Sequence, residues 1–207
     1  MSESPRRTPA DVWREMVRGN ERFVAGAPRH PRQDVERREE LATTQAPHAA
    51  LFGCSDSRLA AEIIFDKGLG DLFVVRNAGQ VISDSAIASL EYAVAVLDVP
   101  LIVVLAHDAC GAVRAAIDLD SPDARPLPPH IAGHIAAIRP SVRASPNRDP
   151  ETVGITHLKR TVSELVARSE LITDAVADGS LAVVGANYKL LEGAAVPAVI
   201  VGDVGVS

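Results

Sequence analysis

Two short clusters of reactive side chains, each directly behind an apolar run, constrain this chain more than any other feature. One cluster, 54–58, follows the run 49–52, and the other, 107–111, follows the run 101–105. Short apolar runs bounded by turn-forming residues are typical of buried strands. We therefore expect both clusters at the carboxyl ends of strands, where open α/β sheets place their sites, above all where the strand order reverses.

The only two cysteines of the chain lie in these clusters, with a histidine close to the second. Cys54, His107 and Cys110 offer two thiolates and an imidazole, a donor set that suits Zn²⁺ in a tetrahedral shell. Asp56 or a water molecule would supply the fourth ligand, and an open fourth position is the pattern of a catalytic site. Arg58 bears on this choice, because a bidentate arginine can hold the Asp56 carboxylate away from a metal.

Plainer interpretations of the same residues stay open at this point. The cysteines could be buried without a metal, and the histidine could be an ordinary core or loop residue. Asp56 and Arg58 could form a solvent-facing ion pair of little energetic value. The joint arrangement of two cysteines and a histidine behind two strands favours a metal site.

The ordered set of motifs resembles the β-class carbonic anhydrases of bacteria. Cys-x-Asp-x-Arg at 54–58 precedes His-x-x-Cys at 107–110, with Val-Arg-Asn-Ala-Gly at 75–79 between them. The specific motifs cover about residues 8–118, and a weaker likeness continues through 182–188. Further matches are Glu-Tyr-Ala-Val at 91–94, Gly111 behind the second cysteine, and Gln45, nine residues before the first.

This resemblance implies an enzyme that holds one Zn²⁺ per chain and reversibly hydrates CO₂ to bicarbonate and a proton, by attack of zinc-bound hydroxide. The implied metal ligands are Cys54, His107 and Cys110. Asp56 would be a fourth ligand in a closed state, or, paired with Arg58, a catalytic residue that orients the nucleophile.

The resemblance also implies a substrate site that needs a second subunit. Gln45 would reach the site from a neighbouring chain, so a homodimer or homotetramer is expected. The residues implied in substrate binding are Gln45, Phe73, Ala78, Tyr92 and Gly111.

The sequence departs from the family pattern at one site. Some members carry an inhibitory bicarbonate site built from a Trp, an Arg and a Tyr. Leu51 stands at the Trp position here, while Arg76 matches and Tyr188 corresponds to the Tyr. Because the full triad is absent, this regulatory site is not expected.

Two other functions stay open. A related zinc hydrolase could act on CS₂ or COS, which are linear molecules open to the same attack. A non-catalytic zinc-binding protein would have a closed Cys₂HisAsp site, but such a site has no use for Arg58 as a competitor for Asp56. A nucleotide-binding module is disfavoured, because no glycine-rich phosphate loop follows a predicted strand.

Apolar periodicity predicts a single α/β domain over residues 1–207, with a central, mostly parallel sheet of four or five strands flanked by helices. Residues 1–7 are expected to be disordered. The α/β core is assigned to 49–207. The predicted strands are 49–53, 72–75, a third from Leu101, 181–185 and an edge strand at 196–201, and the segment 140–150 is predicted to be a loop.

Residues 8–26 are predicted to form an N-terminal helical arm, because Thr8 can cap a helix and Pro9 suits its first position. The apolar face of this helix could cover the chain's own sheet or pack across a partner subunit. The long polar stretch that follows favours the partner subunit. His130 and His134, four residues apart, are interpreted as ordinary helix residues, because no Glu follows His130 as a metalloprotease motif requires.

Composition limits the partners and the compartment. The net charge of −6 gives no reason to expect nucleic acid or an anionic membrane as a partner. No apolar run approaches the ~18–20 residues that span a bilayer. The first residues lack the apolar region of a signal peptide, and thiols that act as metal ligands fit a reducing compartment. These features predict a cytoplasmic protein whose partner is a small-molecule substrate.

Overall fold

A five-stranded sheet forms the centre of the computed structural model, which describes residues 7–121 and 123–205. Its strands are β1 (Ala49–Cys54), β2 (Leu72–Asn77), β3 (Leu101–His107), β4 (Ala182–Lys189) and β5 (Ala194–Val201). They lie in the order β2-β1-β3-β4-β5. The first four strands are parallel and β5 pairs antiparallel with β4, so the predicted mostly parallel sheet is confirmed.

Helices cover both faces of this sheet. Those formed by the described residues are α1 (Pro9–Val24), α2 (Val35–Glu40), α3 (Ala61–Ile64), α4 (Asp84–Ala95), α5 (Gly111–Leu119), α6 (Pro129–Ala136), α7 (Arg139–Ala144), α8 (Pro150–Arg168) and α9 (Glu170–Ala177). None of the helices in the described ranges is long and apolar enough to cross a bilayer.

The central strands are apolar throughout because both of their faces are buried. Alternate residues of β3 enter two separate core layers, as the twofold repeat of a strand requires. Val103 faces the layer that contains α1 and α5, whereas Val104 faces the layer that contains α4, α8 and α9. Every residue of β1 and β3 is buried.

Helix α1 begins where the sequence predicts, but its apolar face packs on the chain's own sheet. Thr8 caps the helix and accepts the Asp11 N–H at 3.1 Å. Val12 and Met16 are fully buried in the same layer as the strands. The interpretation of residues 8–26 as an arm packed across a partner subunit is therefore corrected.

The side chain of Asn20 fixes α1 to the rest of the chain. Its amide donates to the carbonyl oxygens of Ile64 at 3.1 Å and Gly193 at 2.8 Å, and its oxygen accepts the Ala195 N–H at 2.9 Å. The predicted disorder of residues 1–7 concerns residues outside the described ranges, apart from Arg7, which pairs with Glu15 at 2.9 Å.

The segment predicted as a loop at 140–150 was assigned incorrectly in its first half, which forms most of α7. Pro140 lies in the first turn of this helix, where its missing N–H costs no hydrogen bond. Ser141 and Val142 are buried, so packing supports a helix that the local sequence does not signal.

Candidate metal centre

The predicted ligands meet where the strand order reverses. Neighbours β1 and β3 end at Cys54 and His107, and the chain continues outward from them in opposite directions, to β2 and to β4. Cys110 follows His107 and occupies the N-cap position of α5. The ligand atoms of Cys54, His107 and Cys110 all lie within 4.8 Å of one another, and all three residues are buried.

The imidazole of His107 is prepared for a metal. Its Nδ1 lies 2.8 Å from the carbonyl oxygen of Asp108, and because a carbonyl can only accept, Nδ1 carries the proton. Nε2 then has a free lone pair. That atom is buried and has no hydrogen-bond partner among the described residues, which is costly unless another group satisfies it. A metal ion would do so, and the backbone bond at Nδ1 is the usual support of a metal-bound histidine.

The two thiols suit the same metal. The two thiols lie close together, and their interaction lowers the pKa of Cys54 and, together with burial, raises the pKa of Cys110. Cys54 Sγ also accepts the Gly79 N–H at 3.2 Å. Cys110 lies at the positive end of the α5 dipole, which favours its thiolate. Two thiolates and one imidazole nitrogen form a donor set that fits Zn²⁺.

A strained turn aims His107 and Cys110 at one point. Between them, Ala109 adopts a left-handed backbone conformation with φ of +49°. A non-glycine residue there costs about 1–2 kcal/mol, which the surrounding structure must offset. Asp108 helps to hold the turn, because its carboxylate accepts the Leu190 N–H at 3.0 Å.

Asp56 is paired with Arg58 and does not belong to the cluster of three ligands. The guanidinium of Arg58 donates to both carboxylate oxygens, at 2.9 and 2.8 Å, and the Arg58 N–H adds a third bond at 3.0 Å. These bonds hold the pKa of Asp56 well below its usual range. Asp56 Oδ2 nevertheless lies only 3.9 Å from His107 Nε2. The carboxylate therefore borders the position where a fourth ligand would bind.

Arg76 supports the loop that carries these groups. Its guanidinium donates to the carbonyl oxygens of Cys54 at 2.8 Å and Asp56 at 2.6 Å. Leu51 is buried in the core, and Tyr188 is buried as well, which raises the pKa of its phenol. The guanidinium of Arg76 is thus occupied by backbone carbonyl oxygens. Leu51 stands at the position where the resemblance places a Trp in the inhibitory bicarbonate site.

The residues implied in substrate binding fall into two groups. Ala78 and Gly111 lie beside the cluster of three ligands, because they are next in sequence to Gly79 and Cys110 respectively. Phe73 pairs in register with Ala50, four residues before the end of β1 and so about 13 Å from the cluster along the strand.

The other two residues of the second group also lie away from the chain's own cluster. Tyr92 is 44% exposed, and its ring lies 6.1 Å from that of Phe73, centroid to centroid. Gln45 is exposed and precedes the amino end of β1. The structure thus brings Ala78 and Gly111, but not Gln45, Phe73 and Tyr92, to the cluster of the same chain.

Sequence reasoning missed two histidines that hold the loop beside Cys54. His134 Nε2 lies 2.7 Å from the Ala78 carbonyl oxygen, and His157 Nε2 lies 2.7 Å from the Gly79 carbonyl oxygen. The partners are 56 and 78 residues apart in the chain, so no local pattern connects them.

Comparison with known proteins agrees with this geometry. The family model described as carbonic anhydrase matches residues 49–195. Carbonic anhydrase 2 of Mycobacterium tuberculosis is 47% identical over 205 residues, covering 97% of this chain and 98% of that protein. The carbonic anhydrase of Mycolicibacterium smegmatis is 45% identical over 206 residues, with the same coverage of both chains.

Solved structures give the same result. The β-carbonic anhydrase CafA of Aspergillus fumigatus superposes with a TM-score of 0.70 at 26% identity, covering 90% of each chain. The Coccomyxa β-carbonic anhydrase in complex with acetazolamide gives a TM-score of 0.68 at 26% identity, covering 77% of this chain and 75% of that one. Fold, site geometry and sequence identity agree, and the chain belongs to the β-class carbonic anhydrases.

Proposed function

We propose that this protein is a zinc-dependent carbonic anhydrase that reversibly converts CO₂ and water to bicarbonate and a proton. One observation carries the proposal. Cys54, His107 and Cys110 converge on one point, while Arg58 holds the neighbouring Asp56 carboxylate outside that group of three. Three protein ligands beside a restrained carboxylate are the arrangement of a catalytic site, not of a closed structural one.

The side chains around the metal have separate tasks. When bound, Zn²⁺ supplies the Lewis acidity that brings the pKa of water from ~15.7 towards 7. Asp56 is ionised at neutral pH, and the hydrogen bonds from Arg58 lower its pKa further, so its carboxylate can only accept hydrogen bonds. By accepting a hydrogen bond from the attacking water, Asp56 orients the oxygen lone pair towards CO₂. Arg58 keeps that carboxylate available by competing with the metal for it.

The substrate pocket is proposed to form between two subunits. Ala78 and Gly111 belong to the chain that holds the metal, and the Gly111 N–H can donate to bicarbonate. The partner subunit's Gln45 would donate to a substrate oxygen. Phe73, in edge strand β2, forms an aromatic pair with Tyr92. Because both lie away from the metal ligands of their own chain, we assign them to the site of the neighbouring subunit. This arrangement requires a homodimer, alone or within a homotetramer.

We also propose a cytoplasmic location. Cys54 and Cys110 are both free thiols, and their proposed role as metal ligands is compatible with a reducing compartment.

Stopped-flow CO₂ hydration by the purified, zinc-loaded protein tests the proposed reaction. We expect fast turnover that rises into mildly alkaline pH, because two thiolates give the metal more negative charge than imidazoles would and so weaken its acidifying effect. Cys110→Ser should abolish turnover together with stoichiometric zinc binding. Absence of CO₂ turnover at full zinc occupancy would contradict the proposal, and assays with COS and CS₂ would then test the related hydrolase.

A further inference from the structure

The Ala78–Gly79 peptide group connects a histidine on the surface to a metal ligand in the interior. Its N–H donates to Cys54 Sγ at 3.2 Å, and its carbonyl oxygen lies 2.7 Å from His134 Nε2. Because a carbonyl can only accept, His134 donates its Nε2–H. The two bonds thus lie on opposite ends of one amide, and a donor at the carbonyl end polarises the amide and strengthens the donor at the other end.

A second histidine bonds to the next carbonyl of the same segment. His157 is buried, and its Nε2–H donates to the Gly79 carbonyl oxygen at 2.7 Å. Its other ring nitrogen, Nδ1, lies 3.4 Å from the hydroxyl of Ser141, which can donate to it. Gly79 is therefore held both at its N–H, by Cys54, and at its carbonyl, by His157.

The conformation of Gly79 explains why its position needs support. Its φ is +78°, and a Cβ there would lie 2.7 Å from the Ala112 side chain and 3.0 Å from that of Ile138. Glycine alone fits, but glycine also gives the loop the greatest freedom to move. Two hydrogen bonds from separate helices, α6 and α8, remove that freedom where the N–H must reach the sulfur.

We propose that His134 and His157 are positioning residues of the metal centre, which hold and polarise the Ala78–Gly79 segment so that its N–H bonds to the Cys54 thiolate. This inference deepens the proposed function and rests on it for its catalytic consequence. A hydrogen bond to a thiolate withdraws negative charge from sulfur and leaves a bound metal more acidic. Groups that support metal ligands in this way typically change metal affinity or activity about 10–100-fold when removed.

Cobalt absorption reads this effect directly at the sulfur. We would load the wild type, His134→Leu and His134→Gln with Co²⁺ and record the thiolate-to-cobalt charge-transfer band. In His134→Leu the thiolate holds more charge, so the band should move to longer wavelength. In the zinc-loaded form kcat/KM should fall about tenfold. The glutamine variant keeps an N–H donor and should return both values towards those of the wild type.

His130 supplies the matched control. It lies one turn before His134 on α6, and both histidines line a surface hollow of about 380 Å³. No hydrogen bond from its side chain to the loop at 76–80 occurs among the described residues. His130→Leu should therefore leave the cobalt band and kcat/KM unchanged. His157→Gln should shift the band less than His157→Leu, which leaves a buried carbonyl without its donor.

The result that overturns the inference is a cobalt band in His134→Leu that coincides with that of His130→Leu. A lower melting temperature without a band shift would likewise show that the contact is only structural. The cobalt band does not depend on CO₂ turnover. A shifted band in a protein that does not hydrate CO₂ would therefore contradict the proposed function and support the role of His134, whereas an unshifted band in an active enzyme would do the opposite.

Discussion

The Asp56 carboxylate could bind either a metal in the site or the guanidinium of Arg58, and its side-chain contacts favour Arg58. Its Oδ2 lies 3.9 Å from His107 Nε2, close enough that a modest rotation would bring it to a metal in the site. Arg58 opposes this with a fork of two charge-assisted hydrogen bonds, the strongest class that a carboxylate forms with a side chain. The arginine is half exposed, so its value lies in orientation and not in stability.

Arg58→Ala should close the metal site. We expect zinc to stay bound, because its three ligands are intact, while kcat/KM falls at least about 100-fold as Asp56 becomes a fourth ligand. Stopped-flow kinetics and zinc analysis on one preparation measure both. Arg143→Ala is the control, since Arg143 also pairs with an aspartate, Asp120, but through a 3.3 Å contact remote from the site. Wild-type kinetics in Arg58→Ala would refute the competition.

Residues with few chemical alternatives could be predicted from the sequence. Two cysteines and a histidine behind two strands favour a metal site over the plainer interpretations, and Cys54, His107 and Cys110 do converge. His134 and His157 could not be predicted, because their partners are backbone carbonyls. A carbonyl is present at every residue and leaves no trace in the sequence, so only the fold shows which one a histidine meets.

The packing of helix α1 on the core depends on a glycine. Gly19 lies where the helix crosses α3, and a Cβ there would come within 1.9 Å of the Phe65 carbonyl oxygen. Backbone cannot move aside as a flexible side chain can. The close approach allows Asn20 to bond to the carbonyl of Ile64 on α3.

Gly19→Ala should lower the free energy of unfolding by about 2–3 kcal/mol, because the added methyl group forces α1 away from the chain's own core. Gly154→Ala is the matched control. It lies inside α8, where a Cβ would meet nothing within 4 Å, and should raise stability by about 0.5–1 kcal/mol. Urea unfolding of both variants gives the values. An unchanged stability of Gly19→Ala would indicate that α1 packs elsewhere.

Asp71 anchors the polar segment that follows α1. It directly precedes β2 and is fully buried. Its carboxylate accepts hydrogen bonds from Nε and Nη2 of Arg32 and from the Gly68 N–H at 2.8 Å. Burial alone would raise the pKa of this carboxyl, but the hydrogen bonds from Arg32 and Gly68 outweigh burial and leave the pKa lowered. A carboxyl with a lowered pKa stabilises the fold above its unfolded pKa of about 3.9 and loses that effect as pH falls through the folded value.

Asp71→Asn should therefore cost about 2 kcal/mol at pH 7, and the difference from the wild type should shrink as the pH falls below about 4. Urea unfolding at a series of pH values measures this. Asp84→Asn, which alters a 97% exposed carboxylate paired with Arg168, should change stability little at any pH. A gap that stays constant from pH 7 to pH 3 would show that the charge of Asp71 contributes nothing.

The ends of helices could be predicted where a local capping residue sets them. They could not be predicted where tertiary packing determines whether a segment is helical. Thr8 caps α1 as its sequence predicts. The sequence predicts a loop at Pro140, but Pro140 lies in the first turn of α7. A proline in the first turn of a helix and a proline in a loop have the same local sequence. Burial of Val142 against the core distinguishes the two, and that information comes from tertiary structure.

For the assembled protein, we propose that the substrate site is divided between two subunits. Each chain supplies a group of three metal ligands at the carboxyl ends of β1 and β3 and presents Phe73, Tyr92 and Gln45 away from it. A two-fold axis would bring each set to the partner's cluster, since a symmetric dimer uses the same surface on both subunits.

Mixing two inactive chains tests this division. Cys110→Ser lacks a metal ligand, and Gln45→Ala lacks only the donor proposed to act across the interface. In a mixed dimer, the Gln45→Ala chain keeps its metal and receives an intact Gln45 from its partner. Equal amounts of the two variants that assemble randomly into dimers should give about one quarter of the active sites of the wild type. Activity no higher than that of the separate variants would place Gln45 outside the neighbouring site.

We propose above that Cys54, His107 and Cys110 hold a zinc ion while Asp56 stays paired with Arg58. X-ray absorption at the zinc edge, on the wild type and on Asp56→Asn at neutral pH, tests it most directly. We predict two sulfur atoms at about 2.3 Å and two lighter atoms at about 2.0–2.1 Å, with superimposable spectra from the two proteins. Fewer than two sulfur atoms, or a metal shell that changes in Asp56→Asn, would contradict this coordination.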